Sequence, residues 1–236
     1  LEFKIFINMG VAGGPNIVSS NLQWAIDTTN TKSYPRAGST AYDLGPNKLN
    51  LNGAAFMGSA PYAIASGTTG ATATTSILNT DYHSIFYTLK IKSTATFPNG
   101  YTGNWEKIFS YNAGGTDRSP SVWRYPSLKY MHWQYAPGYN GPNFGQDSGG
   151  SEFTIGTTYL IGCTKDAGTV VAYINGLPIT TVGASNPKSA GDAPIYIFEY
   201  YTADLAEISS IYIWNKALSA TEVYQTYLGI KNKYGI

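Results

Sequence analysis

Apolar and polar residues alternate along most of this chain in short runs, and Gly, Pro and Asn cut the runs apart. From Ser84 to Lys92, the residues Ile85, Tyr87, Leu89 and Ile91 fall at every second position, so they share one face of a strand. The same pattern predicts strands at about 21–26, 49–57, 61–65, 73–78, 84–92, 105–111, 120–125, 128–135, 157–164, 169–174, 177–182, 195–200 and 205–214. Between the tenth and eleventh of these sits Asn175-Gly176. Both residues tolerate φ > 0, as a type I′ hairpin turn requires. Only the end of the chain changes period. Ser219 with Glu222 three residues on is a capping box, and Val223, Tyr227, Ile230 and Tyr234 follow as an apolar stripe at helical spacing. Many short strands and one closing helix predict an all-β, two-sheet antiparallel sandwich.

The first eight residues stand apart. Leu1, Phe3, Ile5 and Ile7 alternate with Glu2, Lys4, Phe6 and Asn8, and a link containing Gly10, Gly13, Gly14 and Pro15 follows. Glycine loses much backbone freedom when ordered, so this link suits a strand that reaches elsewhere. Residues 1–15 are expected to be an assembly arm that adds to the sheet edge of a neighbouring subunit, with pairing to the chain's own sheet as the alternative. Residues 16–236 are expected to form the sandwich.

The closing segments Tyr159 to Thr164, Val171 to Gly176 and Leu205 to Glu222 resemble the final half of a laminin-G-like, concanavalin A-like jelly roll. The opening segments Ile17 to Asp27, Lys32 to Pro35 and Tyr42 to Leu44 resemble the version common in structural proteins of tailed bacteriophages. The resemblance implies a jelly roll with a C-terminal helix and a virion setting, as a head decoration, spike or fibre subunit. A secreted carbohydrate-binding module or lectin is the rival class. Fold resemblance alone does not supply a site.

Composition narrows the chemistry. Only 12% of the 236 residues are charged, the formal net charge is +1, and Lys and Arg are scattered. No clustered basic face points to nucleic acid, and no apolar run is long enough for a bilayer-spanning helix. Cys163, the one cysteine, lies in an apolar strand and is expected to be a buried, inert thiol. A retaining glycosidase needs two carboxylates about 5–5.5 Å apart. No Glu-x-Asp-x-Glu run is present, and Glu199, Asp204 and Glu207 are separated by a loop. The chain is therefore expected not to be an enzyme.

Two sets of candidate residues remain. Tyr130 to Asp147 combines Trp133 with several Tyr, Asn, Gly and Gln residues, a mix that suits adaptable binding loops. Trp133, Tyr135, Tyr139, Asn140, Asn143 and Asp147 are the expected glycan- or partner-binding residues. His132 and Gln134 alternate with Trp133 and Tyr135, so some of these aromatics belong to the core. Tyr200, Tyr201 and Asp204 form a weaker second candidate. The resemblance also implies Ca²⁺, with Asp27, Asp43 and Asn47 as the oxygen ligands. Related sequences place a Ser-Gly-Asn-Gly loop where this chain has Gly45, Pro46, Asn47 and Lys48, and turn capping is the alternative role for both Asp residues. The partners expected are other virion proteins or further copies of the chain, and a cell-surface glycan.

Overall fold

Most of the described strands form where the alternating runs predict them. The computed structural model describes residues 16–57, 63–65, 69–92, 106–111, 120–125, 130–134, 143–144, 153–183, 191–199 and 206–236. In chain order the strands are β1 (Leu22–Asp27), β2 (Thr40–Ala41), β3 (Leu51–Asn52), β4 (Phe56–Met57), β5 (Ala63–Ala65), β6 (Gly70–Ala71), β7 (Tyr82–Ile91) and β8 (Glu106–Tyr111). They continue with β9 (Ser121–Tyr125), β10 (Tyr130–Gln134), β11 (Asn143–Phe144), β12 (Thr158–Asp166), β13 (Thr169–Ile174), β14 (Leu177–Gly183), β15 (Ile195–Ile197) and β16 (Ala206–Trp214). One helix, α1 (Ala220–Tyr234), follows.

The strands build two antiparallel sheets. The first runs β14-β13-β12-β7-β16-β5-β4, with β1 pairing to β16. The second runs β11-β10-β9-β8-β15-β6-β3-β2. Alternation sends Ile85, Tyr87, Leu89 and Ile91 from β7 and Ile161 and Cys163 from β12 into the space between the sheets. Phe109, Tyr111, Val122, Met131, Trp133, Ile195 and Ile197 meet them from the second sheet. The result is the two-sheet sandwich that the sequence predicts, with Cys163 buried in its core.

The outer face of the first sheet is buried too. Phe86, Leu160, Tyr173, Tyr212 and Trp214 point away from the inter-sheet core and pack with Val223, Ile230 and Tyr234 of α1. The capping box is present: the Glu222 amide donates to Ser219 Oγ at 3.3 Å, and the Ser219 amide donates to Glu222 Oε2 at 2.9 Å. Gly235 closes the helix in the left-handed region, at φ 68°. Beneath the helix, Gly162 lies opposite Phe86 in the β12–β7 register. A Cβ at position 162 would lie 2.2 Å from Phe86 Cδ1 and 2.4 Å from the Ile85 carbonyl oxygen. The Phe86 ring thus occupies the space that any other residue at 162 would need.

Three expectations change. The run 49–57 is not one strand. Gly53 at φ 78° breaks it, and β3 joins the second sheet while β4 joins the first. The run 73–78 contributes only a single bridge, Thr75 to Ala193, because the chain turns at Ser76 and the Asn79 amide donates to the Ser76 carbonyl at 2.8 Å. The run 195–200 stops as a strand at Ile197. The Asn175-Gly176 turn has positive φ at both positions, 49° and 80°, as predicted.

Replacing Ser219 with Ala removes the side-chain half of the cap and should cost about 1 kcal/mol. Equilibrium denaturation of the Ser219→Ala variant measures this, and an unchanged midpoint would contradict a stabilising role for the cap.

Candidate functional site

The aromatic segment from Tyr130 to Asp147 is partly core. Trp133 is 2% exposed, sits in the inter-sheet core, and lies 6.1 Å from the Tyr87 ring. Its assignment as a binding residue is corrected: strand alternation places Met131 and Trp133 inward together. Asn143 belongs to β11, where its backbone pairs with Gln134. Tyr135, Tyr139, Asn140 and Asp147 lie outside the described residues, as do Tyr200, Tyr201 and Asp204.

The expected Ca²⁺ ligands are each engaged by groups of the protein itself. Asp27 Oδ1 accepts from Tyr234 Oη at 2.8 Å, Thr29 Oγ1 at 2.6 Å and the Thr29 amide at 3.1 Å. Its Oδ2 is paired with the Lys233 ammonium. Asp43 Oδ1 accepts from the amides of Ala25 (3.0 Å) and Gly45 (2.6 Å), and Oδ2 accepts from the Leu49 amide at 2.9 Å. Asn47 turns its amide nitrogen to the Gln23 carbonyl at 2.8 Å, and Lys48 donates to the Gly45 carbonyl at 3.0 Å. One carboxylate locks the end of α1 to β1, and the other caps the 43–49 turn. The Lys233 ammonium already brings a positive charge to Asp27. Among the described residues, no three His, Cys, Asp or Glu side chains are grouped to hold a metal.

The outer face of the second sheet carries a polar constellation that the sequence reading missed. In β8, a bulge between Lys107 and Phe109 sends both Ile108 and Phe109 into the core. Lys107 and Ser110 therefore reach the same outer face, although they are three residues apart. Register sets Lys107 opposite Trp123, Ser110 opposite Ser121, and Tyr196 opposite Ser110. It also sets the His132 backbone opposite Trp123.

Glu199 arrives by a second irregularity. Phe198 adopts φ 55° and is fully buried, and its amide donates to the Ile108 carbonyl at 3.0 Å. A non-glycine residue pays a steric cost in that region. The distortion puts Phe198 into the core out of alternation and brings Glu199 to Lys107 and Ser110. Lys107 Nζ lies 2.7 Å from Glu199 Oε2, and Ser110 Oγ donates to the same oxygen at 2.9 Å. Both charged side chains are buried. Lys107 Nζ also lies 5.0 Å from the centre of the Trp123 ring, and Trp123 Nε1 donates to Ser121 Oγ at 3.0 Å. Trp123 remains partly exposed. The arrangement is one fixed indole with hydroxyl, ammonium and carboxylate groups around it. The exposed part of the indole can stack against an apolar ring face, while Lys107, Ser110, Ser121 and Glu199 are buried and hold it in place. The one described carboxylate here is held by Lys107 and Ser110, a poor starting point for proton transfer.

A second buried polar group lies at one end of the sandwich. Lys165 is opposite His83 in the β12–β7 register, and both are fully buried. Lys165 donates to the Ala167 carbonyl. Burial, and next the nearby Lys165 charge, push the His83 imidazolium down to a pKa of about 3. His83 is thus a neutral core residue at physiological pH.

No protein-family model matches the chain, and no curated protein matches it. Solved structures do. The Trypanosoma rangeli sialidase superposes with a TM-score of 0.66 at 12% identity, over 96% of this chain and 35% of that one. The same sialidase in complex with sialic acid gives 0.67 at 11% identity, over 95% and 35%. The botulinum neurotoxin serotype D binding domain gives 0.68 at 14% identity, over 90% and 52%. This chain spans about a third of the sialidase and about half of the toxin chain. The likeness is one of fold alone, a two-sheet jelly-roll sandwich consistent with the concanavalin-like architecture.

Two measurements follow. With both Asp27 and Asp43 already satisfied, the melting temperature should be the same in chelator and in added Ca²⁺; a rise with Ca²⁺ would restore the metal reading. His83 has a depressed folded pKa, so its stabilising neutral state is complete above pH 6.5. Stability should fall as pH drops from 6.5 towards 3, because the unfolded chain then binds a proton that the folded chain excludes. His83→Gln should flatten denaturation midpoints between pH 6.5 and 5, and an unchanged slope would contradict this.

Proposed function

We propose that this chain is a non-enzymatic recognition module that binds carbohydrate on the outer face of its second sheet. The observation that carries the reading is Trp123, partly exposed on a rigid strand and bordered by Lys107 and Ser121. A pyranose offers an apolar C–H face to the exposed part of the indole, and the buried Lys107 and Ser121 hold that indole in place. Side chains on paired strands lose little further freedom when they bind, which favours affinity from a small surface. Glu199, tied to Lys107 and Ser110, acts in this reading as a framework group rather than an acid or base.

The setting we propose is the particle of a tailed bacteriophage, where the chain would be a decoration, spike or fibre subunit working through assembly and adhesion to a host glycan. The resemblance of Ile17 to Asp27 and of Leu205 to Glu222 to phage structural proteins supports that setting. The structural neighbours support the carbohydrate part: one is a sialidase seen with sialic acid, and another is a toxin binding domain. Mass spectrometry of purified particles tests the setting.

A broad glycan panel followed by calorimetry tests the site. Trp123→Ala should weaken binding of the best glycan at least tenfold while the melting temperature stays within a few degrees. A wild-type chain that binds nothing on the panel, or a Trp123→Ala variant that binds equally well, would overturn the reading.

A further inference from the structure

The two longest sheet edges are treated differently. The outer edge of β1 is closed. The Ala25 amide donates to Asp43 Oδ1 at 3.0 Å, its carbonyl accepts from the Leu44 amide at 2.9 Å, and the Asp27 amide donates to Ser33 Oγ at 3.1 Å. Three other edge strands, β2, β4 and β11, are two residues long. β14 is the seven-residue strand Leu177–Gly183, and among the described residues nothing pairs with its outer side. A long unpaired edge presents backbone donors and acceptors to any extended segment.

Apolar side chains mark the same place. Leu177, the first residue of β14, is 61% exposed, the highest value among the exposed large hydrophobics. Beside it, the hairpin tip meets α1: a Cβ on Gly176 would lie 3.0 Å from Tyr224 Cδ2, and Tyr224 is itself 45% exposed. Ile179 of β14 packs against the inter-sheet core from its margin.

The described chain begins at this helix. Gln225 Nε2 donates to the Asn16 carbonyl at 3.0 Å, and Gln225 follows Tyr224 in α1. Residues 9–15 can span about 23–25 Å when extended, while a helix with its side chains is about 10–12 Å across. Seven residues therefore reach farther than the width of α1, the helix that meets the β13–β14 hairpin tip.

We propose that Leu1–Asn8 adds as a strand to the outer edge of β14 in the same chain. Its Leu1, Phe3, Ile5 and Ile7 row extends the inter-sheet core past Ile179. Pro178 has no N–H and confines the new ladder to Ile179–Gly183. A tether this short holds the segment at millimolar effective concentration, which favours its own sheet over a neighbour's. The inference is independent of the carbohydrate reading, since it concerns the other sheet.

Hydrogen exchange on the full chain tests it, with light scattering for mass. The chain should be monomeric with slow amides in Ile179–Gly183. Deleting residues 1–8 should speed at least tenfold the amides of that stretch that face away from β13, Ile5→Asp should do the same without a deletion, and a synthetic peptide of residues 1–8 should slow them again in the truncated protein. Exchange unchanged by both the deletion and Ile5→Asp would overturn the proposal. So would an oligomer that dissociates in both variants, which places the segment on a neighbouring copy.

Discussion

The first sheet is buried on both faces, and the rest of the molecule is arranged around that constraint. Its inner face meets the second sheet through Tyr87 and Leu89, and its outer face meets α1 through Phe86, Tyr212 and Trp214. Central strands of this kind leave no room for an unpaired polar group. Buried polar side chains on them are tied to the backbone or to other side chains. Thr88 Oγ1 accepts from the Ser210 amide at 2.8 Å, Ser84 Oγ donates to the Lys216 carbonyl at 2.8 Å, and Tyr234 reaches Asp27. Burial drives the Tyr234 and Tyr212 hydroxyls well above the usual phenol range, so both stay neutral donors.

With one outer face given over to the helix, the other sheet carries a buried polar cluster beside the partly exposed Trp123. The Lys107–Glu199 pair there is buried, and such a pair contributes little net stability because desolvation offsets attraction. Losing either partner would still be costly, about 3–5 kcal/mol, since the remaining charge would be stranded. The pair fixes where the Lys107 ammonium sits against Trp123. Position, more than stability, is what the charges supply.

Regular features were legible in the sequence. Ile85 to Ile91, Asn175-Gly176 and the Ser219/Glu222 box each carry their signal in a few adjacent residues, and each forms as read. The site was not legible, because it depends on two breaks in alternation. Period-two reasoning puts Lys107 and Ser110 on opposite faces, and only the bulge at Ile108 unites them. It also runs the strand through Phe198 to Tyr200, whereas positive φ at Phe198 ends it. Bulges and left-handed non-glycine residues are set by tertiary packing, which one-dimensional spacing does not encode. The same limit explains Trp133: a run rich in aromatics looks alike whether its rings face a ligand or a core. For Asp27 the decisive partners, Lys233 and Tyr234, lie more than two hundred positions away.

Gly162 bears on how the chain avoids misalignment. If β12 slid along β7 by one residue, every side chain would change face, and hydrophobicity would reject the error. A slide of two residues keeps apolar positions inward and goes unnoticed by that filter. It would, however, bring Leu160 or Thr164 opposite the Phe86 ring, where even a Cβ has no space. The missing side chain works as a notch that one tooth fits. It selects among alignments that the hydrophobic pattern counts as equal, at the two strands through which the first sheet is joined.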